Sequence, residues 1–294
     1  MARRPPPRPR RRTGARWAWI AAGAALVFAV LLARELLVRP TADASAPGVA
    51  PVGAAAPAME DPPPVERLRV EIVRVLPHDV TAFTQGLVWN GRTLYESTGL
   101  LGQSSLREVD LETGRVLRRV ALPPDVFGEG LAQVEGRLVQ LSWRNGLALV
   151  WDAATFERRG EHRYAGEGWG LCYDGRRLVM SDGSSTLTFR DAATFAETSR
   201  IRVTLDGAPL PSLNELECVG GDIYANVWQT DDIVRIDAAS GRVTARIDAR
   251  GLLAPDERPD ADVLNGIAYR PEAGTFLVTG KLWPKLFEVR FVPR

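Results

Sequence analysis

The chain has 294 residues, with 37 Lys plus Arg against 36 Asp plus Glu, two Cys and two His. Residues 1–40 hold nine Arg and one Glu, or +8, so residues 41–294 carry −7 (+1 minus +8). A basic tail therefore sits on a mildly acidic body with no basic run, which speaks against nucleic-acid binding, and two histidines are too few for a His-rich zinc site.

The apolar run Trp17 to Ala33 follows the cluster Arg8, Arg10, Arg11, Arg12 and Arg16, the pattern of a signal peptide or signal anchor. Its length is at the lower edge of the roughly 17–25 residues that span a bilayer. Arg34 and Glu35 stop it, and the nearest small-x-small site, Ala42-Asp43-Ala44, comes late. This favours an uncleaved transmembrane anchor over a cleaved signal. The positive-inside rule then keeps the basic tail, residues 1–16, in the cytoplasm and exports the rest. Residues 34–64 are rich in Pro and Ala and end in Pro62-Pro63-Pro64, an extended linker. The folded region, residues 65–294, is expected to be periplasmic and tethered to the membrane.

Within the folded region a single five-residue frame recurs: Phe83-Thr84-Gln85-Gly86-Leu87, Phe127-Gly128-Glu129-Gly130-Leu131, Glu167-Gly168-Trp169-Gly170-Leu171, Ser212-Leu213-Asn214-Glu215-Leu216 and Val263-Leu264-Asn265-Gly266-Ile267. The spacing of roughly 40–50 residues is that of propeller blades. Each unit reads as short strand-like runs punctuated by turns such as Asn90-Gly91, Thr113-Gly114, Glu135-Gly136, Asp174-Gly175, Gly220-Gly221 and Ser240-Gly241. The last unit lacks a fourth run, and Leu68-Arg69-Val70-Glu71-Ile72 can supply it, protecting the edges. The expected fold is all-β, a five-bladed β-propeller closed by this N-terminal strand. A β-sandwich leaves five copies of one frame unexplained.

In a propeller, first strands line the central channel, so the third positions Gln85, Glu129, Trp169, Asn214 and Asn265 converge. A second tier ends the second strands: Ser97-Thr98, Ser142-Trp143, Ser181-Asp182, Val227-Trp228 and Gly280-Lys281. Lys281 is one of only two lysines in an Arg-rich chain, which suggests that a compact amine is wanted there. One axial carboxylate with no nearby His or Cys cluster does not make a metal cage, and no nucleophile triad is visible. A carboxylate walled by tryptophans suits a proton shuttle. Indole faces attract an ammonium, and Asn and Gln orient a carboxamide. Together they point to proton transfer between an amine and an amide. Cys172 and Cys218 fall near one level of neighbouring repeats. Export permits a disulfide between them, and two buried thiols are the alternative.

The ordered series His78-Asp79, Phe83 to Leu87, Glu96-Ser97-Thr98-Gly99, Phe127 to Leu131, Trp169-Gly170-Leu171, Ser181-Asp182-Gly183, Asn214-Glu215-Leu216-Glu217, Ala225-Asn226-Val227-Trp228, Leu264 to Ala268 and Thr279-Gly280-Lys281-Leu282-Trp283-Pro284 resembles the plant and bacterial glutaminyl-peptide cyclotransferases (glutaminyl cyclases). That family is built on five-bladed propellers. The resemblance covers the chain from about His78 onward and leaves the Arg-rich N-terminus uncovered. It implies cyclisation of an N-terminal Gln to pyroglutamate with loss of ammonia. In that reading Glu129 is the acid–base catalyst, and Gln85, Asn214 and Lys281 hold the carboxamide and oxyanion. Phe83, Phe127, Trp143, Trp169 and Trp228 wall the pocket.

Structural alternatives stand beside these roles. Glu129 could be a solvated turn residue, the tryptophans core, Lys281 a surface lysine, and Gln85, Asn214 and Asn265 amides that tie blades together. Strand alternation places Glu215 off the channel. His78 reads as a structural residue and Asp182 as a turn cap. No metal or cofactor is expected; the partners expected are peptides or proteins with N-terminal Gln, and the chain is expected to be a monomer. The functional alternatives are a non-catalytic exported peptide-binding propeller and a calcium-dependent hydrolase, which would need several axial carboxylates.

Overall fold

A computed structural model describes residues 63–257 and 259–294. The anchor, the basic tail and nearly all of the linker lie outside the described residues. Among the described residues no helix is long and apolar enough to cross a membrane, and the one helical element is the short turn Pro255–Glu257. All other regular structure is β, and the fold is propeller-like.

Four antiparallel four-stranded units follow in chain order. The first comprises Thr84–Trp89, Leu94–Thr98, Ser105–Val109 and Val116–Ala121. The second comprises Gly128–Val134, Arg137–Ser142, Leu147–Asp152 and Arg158–Arg163. The third comprises Leu171–Tyr173, Arg177–Met180, Thr186–Asp191 and Glu197–Arg202. The fourth comprises Leu213–Val219, Asp222–Val227, Asp232–Asp237 and Val243–Asp248. A fifth unit has Leu264–Arg270, Thr275–Gly280 and Lys285–Pro293, and takes its outer strand, Glu66–Pro77, from the start of the folded region. The register of that antiparallel pair sets Val70 opposite Phe291 and Ile72 opposite Val289. The same N-terminal strand also pairs in parallel with Val243–Asp248, Glu66 opposite Ala245, and so joins the fourth and fifth units into one sheet.

In four of the five units the repeated frame folds as a β-bulge. Register shifts fall between Thr84 and Gly86, Gly128 and Leu131, Leu213 and Leu216, and Leu264 and Ile267. A bulge re-aims a side chain and bends its strand, so the varied third position is the one turned out of the ladder. The fourth-position glycine has a separate cause, close backbone approach. A Cβ on Gly86 would stand 2.5 Å from Leu131 N, and one on Gly130 would stand 2.5 Å from Leu171 N. A Cβ on Gly170 would collide with Asn214 O, and Gly266 packs on Thr84 and Leu87. Each first strand thus lies against the next unit's, and the fifth against the first.

The core sits between units. Leu131 and Leu138 pack toward the first unit, while their neighbours Ala132 and Val139 pack toward the third. Leu171 and Leu178 face the second unit, and Cys172 and Val179 face the fourth. Period-2 alternation therefore sorts side chains between two apolar interfaces rather than between core and water. The outer strands Arg158–Arg163 and Glu197–Arg202 are almost wholly exposed. Cys172 and Cys218 form a disulfide across the third–fourth interface, with Cα atoms 5.5 Å apart. With 46 residues of separation, loop-closure entropy assigns it about 4 kcal/mol. Replacing both cysteines by Ser should lower Tm by roughly 10 °C in a calorimetric scan. An unchanged Tm, with two titratable thiols in the unreduced wild type, would contradict the pairing.

A second repeat punctuates the outer strands. Asp110, Asp152, Asp191 and Asp237 each accept at Oδ1 from the backbone N–H three residues on, those of Thr113, Thr155, Thr194 and Ser240. The following residue is left-handed in every case, Gly114, Phe156, Phe195 or Gly241. The Asx turn is what the aspartate supplies.

Glu215 departs from the alternation argument. The bulge between Leu213 and Leu216 swings it across the first strands, where its carboxyl accepts from Leu87 N at 3.2 Å and Ile267 N at 2.7 Å. It substitutes a carboxyl bridge for the bare glycine contact found elsewhere. Burial, with the charge of Glu217 second, raises its pKa well above the usual range. Glu217 accepts from Tyr269 N at 2.9 Å, and burial pushes its carboxyl up to about 8. The unfolded value is about 4.3, so folding takes up a proton in between. This contribution is complete below about pH 4.3 and is lost as pH rises through about 8. Glu217→Gln keeps an acceptor for Tyr269 and removes the titration. Its Tm should match wild type near pH 4 and exceed it near pH 9; parallel Tm–pH curves would contradict this.

Candidate active site

Five polar side chains are buried at one end of the first and second strands: Gln85, Glu129, Asn214, Asn265 and Lys281. Five aromatic ones, Phe83, Phe127, Trp143, Trp169 and Trp228, are half-buried around them. A polar floor thus lies under an aromatic rim. The bulges aim Gln85, Glu129, Asn214 and Asn265. Trp143, Trp228 and Lys281 each follow the last residue of a second strand.

Glu129 Oε1 accepts from Gln85 Nε2 at 3.1 Å. Gln85 Oε1 in turn accepts from Asn265 Nδ2 at 3.3 Å, and the same Nδ2 donates to Thr84 O at 3.0 Å. The backbone of Glu129 is fixed as well: Ser97 Oγ donates to its carbonyl, and Gln140 Nε2 donates to Ser97 Oγ at 2.7 Å. Burial drives the Glu129 pKa well above the ordinary carboxylate range; the charge of Lys281 pulls it down and that of Glu167 pushes it up. Burial lowers the pKa of Lys281 while Glu129 and Asp262 raise it, and the net shift is downward. The Lys281 ammonium lies 5.0 Å from the Phe83 ring centroid. Asn214 Oδ1 and Asn265 Oδ1 are buried and have no partner among the described residues, so both acceptors are open to a donor.

The turn that carries Lys281 is held from both sides. Lys281 N donates to Val263 O at 3.0 Å, and Leu282 N to Ala82 O at 2.7 Å. His78 donates from Nδ1 to Trp283 O at 2.8 Å and from Nε2 to Glu96 at 3.0 Å. Burial opposes its charge, but Glu96, the Trp283 carbonyl and Asp79 together hold His78 above its ordinary value. His78 is thus a buried tie beside the site. Asp182 accepts from Ser184 N at 3.0 Å, the turn cap expected of it.

The rim rings touch in two groups. Phe83 meets Phe127 edge-on at 6.1 Å, and Phe127 meets Trp143 at 5.7 Å. Trp169 meets Trp228 edge-on at 5.4 Å. Among the described residues no group of three or more His, Cys, Asp or Glu is placed to hold a metal ion.

The glutamine cyclotransferase family model matches residues 46–291. A glutaminyl-peptide cyclotransferase of Arabidopsis thaliana is 41% identical over 227 residues, 75% of this chain and 71% of the relative. The chain belongs to the glutamine cyclotransferase family. The crystal structure of Myxococcus xanthus glutaminyl cyclase superposes with a TM-score of 0.72 at 43% identity, covering 78% of this chain and 99% of that one.

In this cyclotransferase the residues singled out in the sequence assemble in one place, with two refinements. Gln85 spends one end of its amide on Glu129 and the other on Asn265, which leaves a single N–H for a ligand. Asn265 ties strands together and also orients Gln85. Sequence reasoning misses one residue. Glu167 Oε2 accepts from both Trp143 Nε1 at 2.7 Å and Trp169 Nε1 at 3.0 Å. The available signal is its place in the frame, two residues before Trp169, but the frame draws attention to its third position.

Proposed function

We propose that this cyclotransferase converts the N-terminal Gln of peptides and proteins to pyroglutamate by metal-independent acid–base catalysis, with Glu129 as the shuttle. The observation that carries the reading is a buried carboxyl, held by one neutral amide and under the electrostatic influence of a lysine, beside half-buried aromatic rings. The rim holds the Gln side chain folded back on its own α-amine, an orientation effect. The amine nitrogen attacks the γ-carboxamide carbon. Asn214 Oδ1 accepts a carboxamide N–H, and Lys281 with the spare N–H of Gln85 stabilises the oxyanion. Glu129 enters as a carboxylate and takes one proton from the attacking nitrogen. It gives that proton to the leaving nitrogen as the carbon–nitrogen bond breaks, so ammonia departs and Glu129 returns to its starting state. A raised pKa suits this role, because a base titrating nearer the working pH transfers protons both ways more readily.

Three further readings accompany it. The five units are the blades of a five-bladed propeller, supported by the cyclic packing of the first strands and by closure through Glu66–Pro77. Residues 17–33 anchor the enzyme, with the catalytic region on the periplasmic side, supported by the Arg cluster and apolar run. The enzyme is a monomer, since a closed ring leaves no edge to cover.

Full-length protein should release one ammonia per Gln-initiated dipeptide, with an unchanged rate after treatment with EDTA. Loss of activity on chelation would overturn metal independence. Binding of the dipeptide without ammonia release would overturn the catalytic reading.

A further inference from the structure

Among the described residues the ring contacts of the rim fall into two groups. One is Trp169 with Trp228, and the other is Phe83, Phe127 and Trp143. Glu167 joins them. One of its oxygens receives the indole N–H of Trp143 from the second unit and that of Trp169 from the third. Its other oxygen receives Arg144 Nε at 2.8 Å, and the Arg144 guanidinium lies 3.8 Å over the Trp143 ring. Three donors on one carboxylate are charge-assisted hydrogen bonds, stronger than neutral ones.

We propose that Glu167 is a positioning residue for cyclisation: its carboxylate sets the gap between the two aromatic groups, selects the folded conformer of the substrate, and keeps a second negative charge near Glu129. The proposal rests on the cyclase reading above. Geometry carries the positioning role. An indole on a strand end keeps rotamer freedom, and a shared acceptor removes it for both rings at once. Near-attack geometry is sensitive to displacements of about an ångström, so the gap matters for rate as well as for binding.

The electrostatic role follows from placement and charge: Gly130 N donates to Trp169 O at 2.7 Å, which brings the backbone next to Glu129 within two residues of Glu167. Burial opposes ionisation of Glu167, but the Trp169, Arg144 and Trp143 donors outweigh it, so the group is held as a carboxylate below the usual range. The charged and titratable groups around Glu129 are Lys281 from the fifth unit, Glu167 from the turn before the third, and Tyr164 from the same connection. The Tyr164 hydroxyl donates to Ser142 O, and its pKa is pushed up to about 12, by burial first. Lys281 and Glu167 act on Glu129 with opposite sign.

Two variants of the full-length protein separate the two roles. Glu167→Ala removes the shared acceptor, and kcat/KM for a Gln-dipeptide should fall about 10–100-fold, with a changed near-ultraviolet circular dichroism of the tryptophans. Glu167→Gln keeps one acceptor oxygen for the two indoles, gives up the Arg144 bond and carries no charge. It should stay within about 3-fold of the wild-type KM, and the acidic limb of its pH–rate profile should move to lower pH. The sign follows because loss of a like charge lets Glu129 ionise more easily. Wild-type kcat, KM and dichroism in Glu167→Ala would overturn the positioning role. An unmoved limb in Glu167→Gln would overturn the electrostatic role. A changed dichroism in Glu167→Ala, with no ammonia released by the wild type, would leave the indole clamp standing and overturn its use in cyclisation.

Discussion

Glu129→Gln should lower kcat for cyclisation by about 10²–10⁴-fold, the range that general acid–base catalysis supplies, and should leave the fold intact. The substitution keeps shape and an acceptor oxygen, so the 3.1 Å bond from Gln85 Nε2 survives. The backbone tie from Ser97 to the residue 129 carbonyl does not involve the side chain. What is lost is the capacity to take a proton from the attacking amine. Burial also makes the ionised carboxyl costly in the folded state, so Tm at neutral pH should be unchanged or higher. Steady-state ammonia release and a thermal melt of the same preparation check both halves. A wild-type rate in a folded variant would remove Glu129 from the chemistry.

Lys281→Met should cost about 10²–10³-fold in kcat, as expected when one oxyanion donor is removed. Met keeps most of the volume against the Phe83 ring, where the ammonium now lies at 5.0 Å, and the turn itself is held by backbone bonds. The variant also has a signature in pH. Lys281 lowers the pKa of Glu129, so its removal should move the acidic limb of kcat/KM to higher pH. That is opposite to the shift expected for Glu167→Gln. Rates measured across the acidic to alkaline range in both variants test whether the two charges bracket one carboxyl. A limb that stays fixed in Lys281→Met would mean that the lysine does not act on Glu129.

Much of the site is legible in the sequence because the frame has a physical cause. The bulge turns the third-position side chain out of the ladder, and the close approach of the next first strand separately requires glycine beside it, so Gly86 and Gly130 persist while Gln85 and Glu129 vary. Reading the third position as the inward one therefore finds Gln85, Glu129, Asn214 and Asn265 together. Lys281 stands out by composition alone. The same bulge defeats the alternation argument at Glu215, since alternation holds only where the ladder is regular. It also hides that both faces of the inner strands are apolar, as Leu131 and Ala132 pack in different interfaces.

Other features are beyond a single sequence because they depend on which loops meet. Glu167 precedes the varied position of its own frame and finds Trp143 in another unit. The parallel pairing of Glu66–Arg69 with Ala245–Asp248 has no local signature, because it needs the ring closed first. For Cys172 and Cys218 the sequence leaves bridge and buried thiols open, and the choice falls to the two inner strands, which bring their Cα atoms to 5.5 Å.

In the proposed mechanism one buried carboxyl with a raised pKa carries the proton. Infrared difference spectra between wild type and Glu129→Gln isolate the protonated carboxyl band of this residue, and kcat/KM can be followed over the same pH range. The band should persist above the ordinary glutamate range of about 4.3 and vanish over the interval in which activity rises. A band already lost near that ordinary value, or an activity profile unrelated to it, would remove Glu129 as the proton carrier.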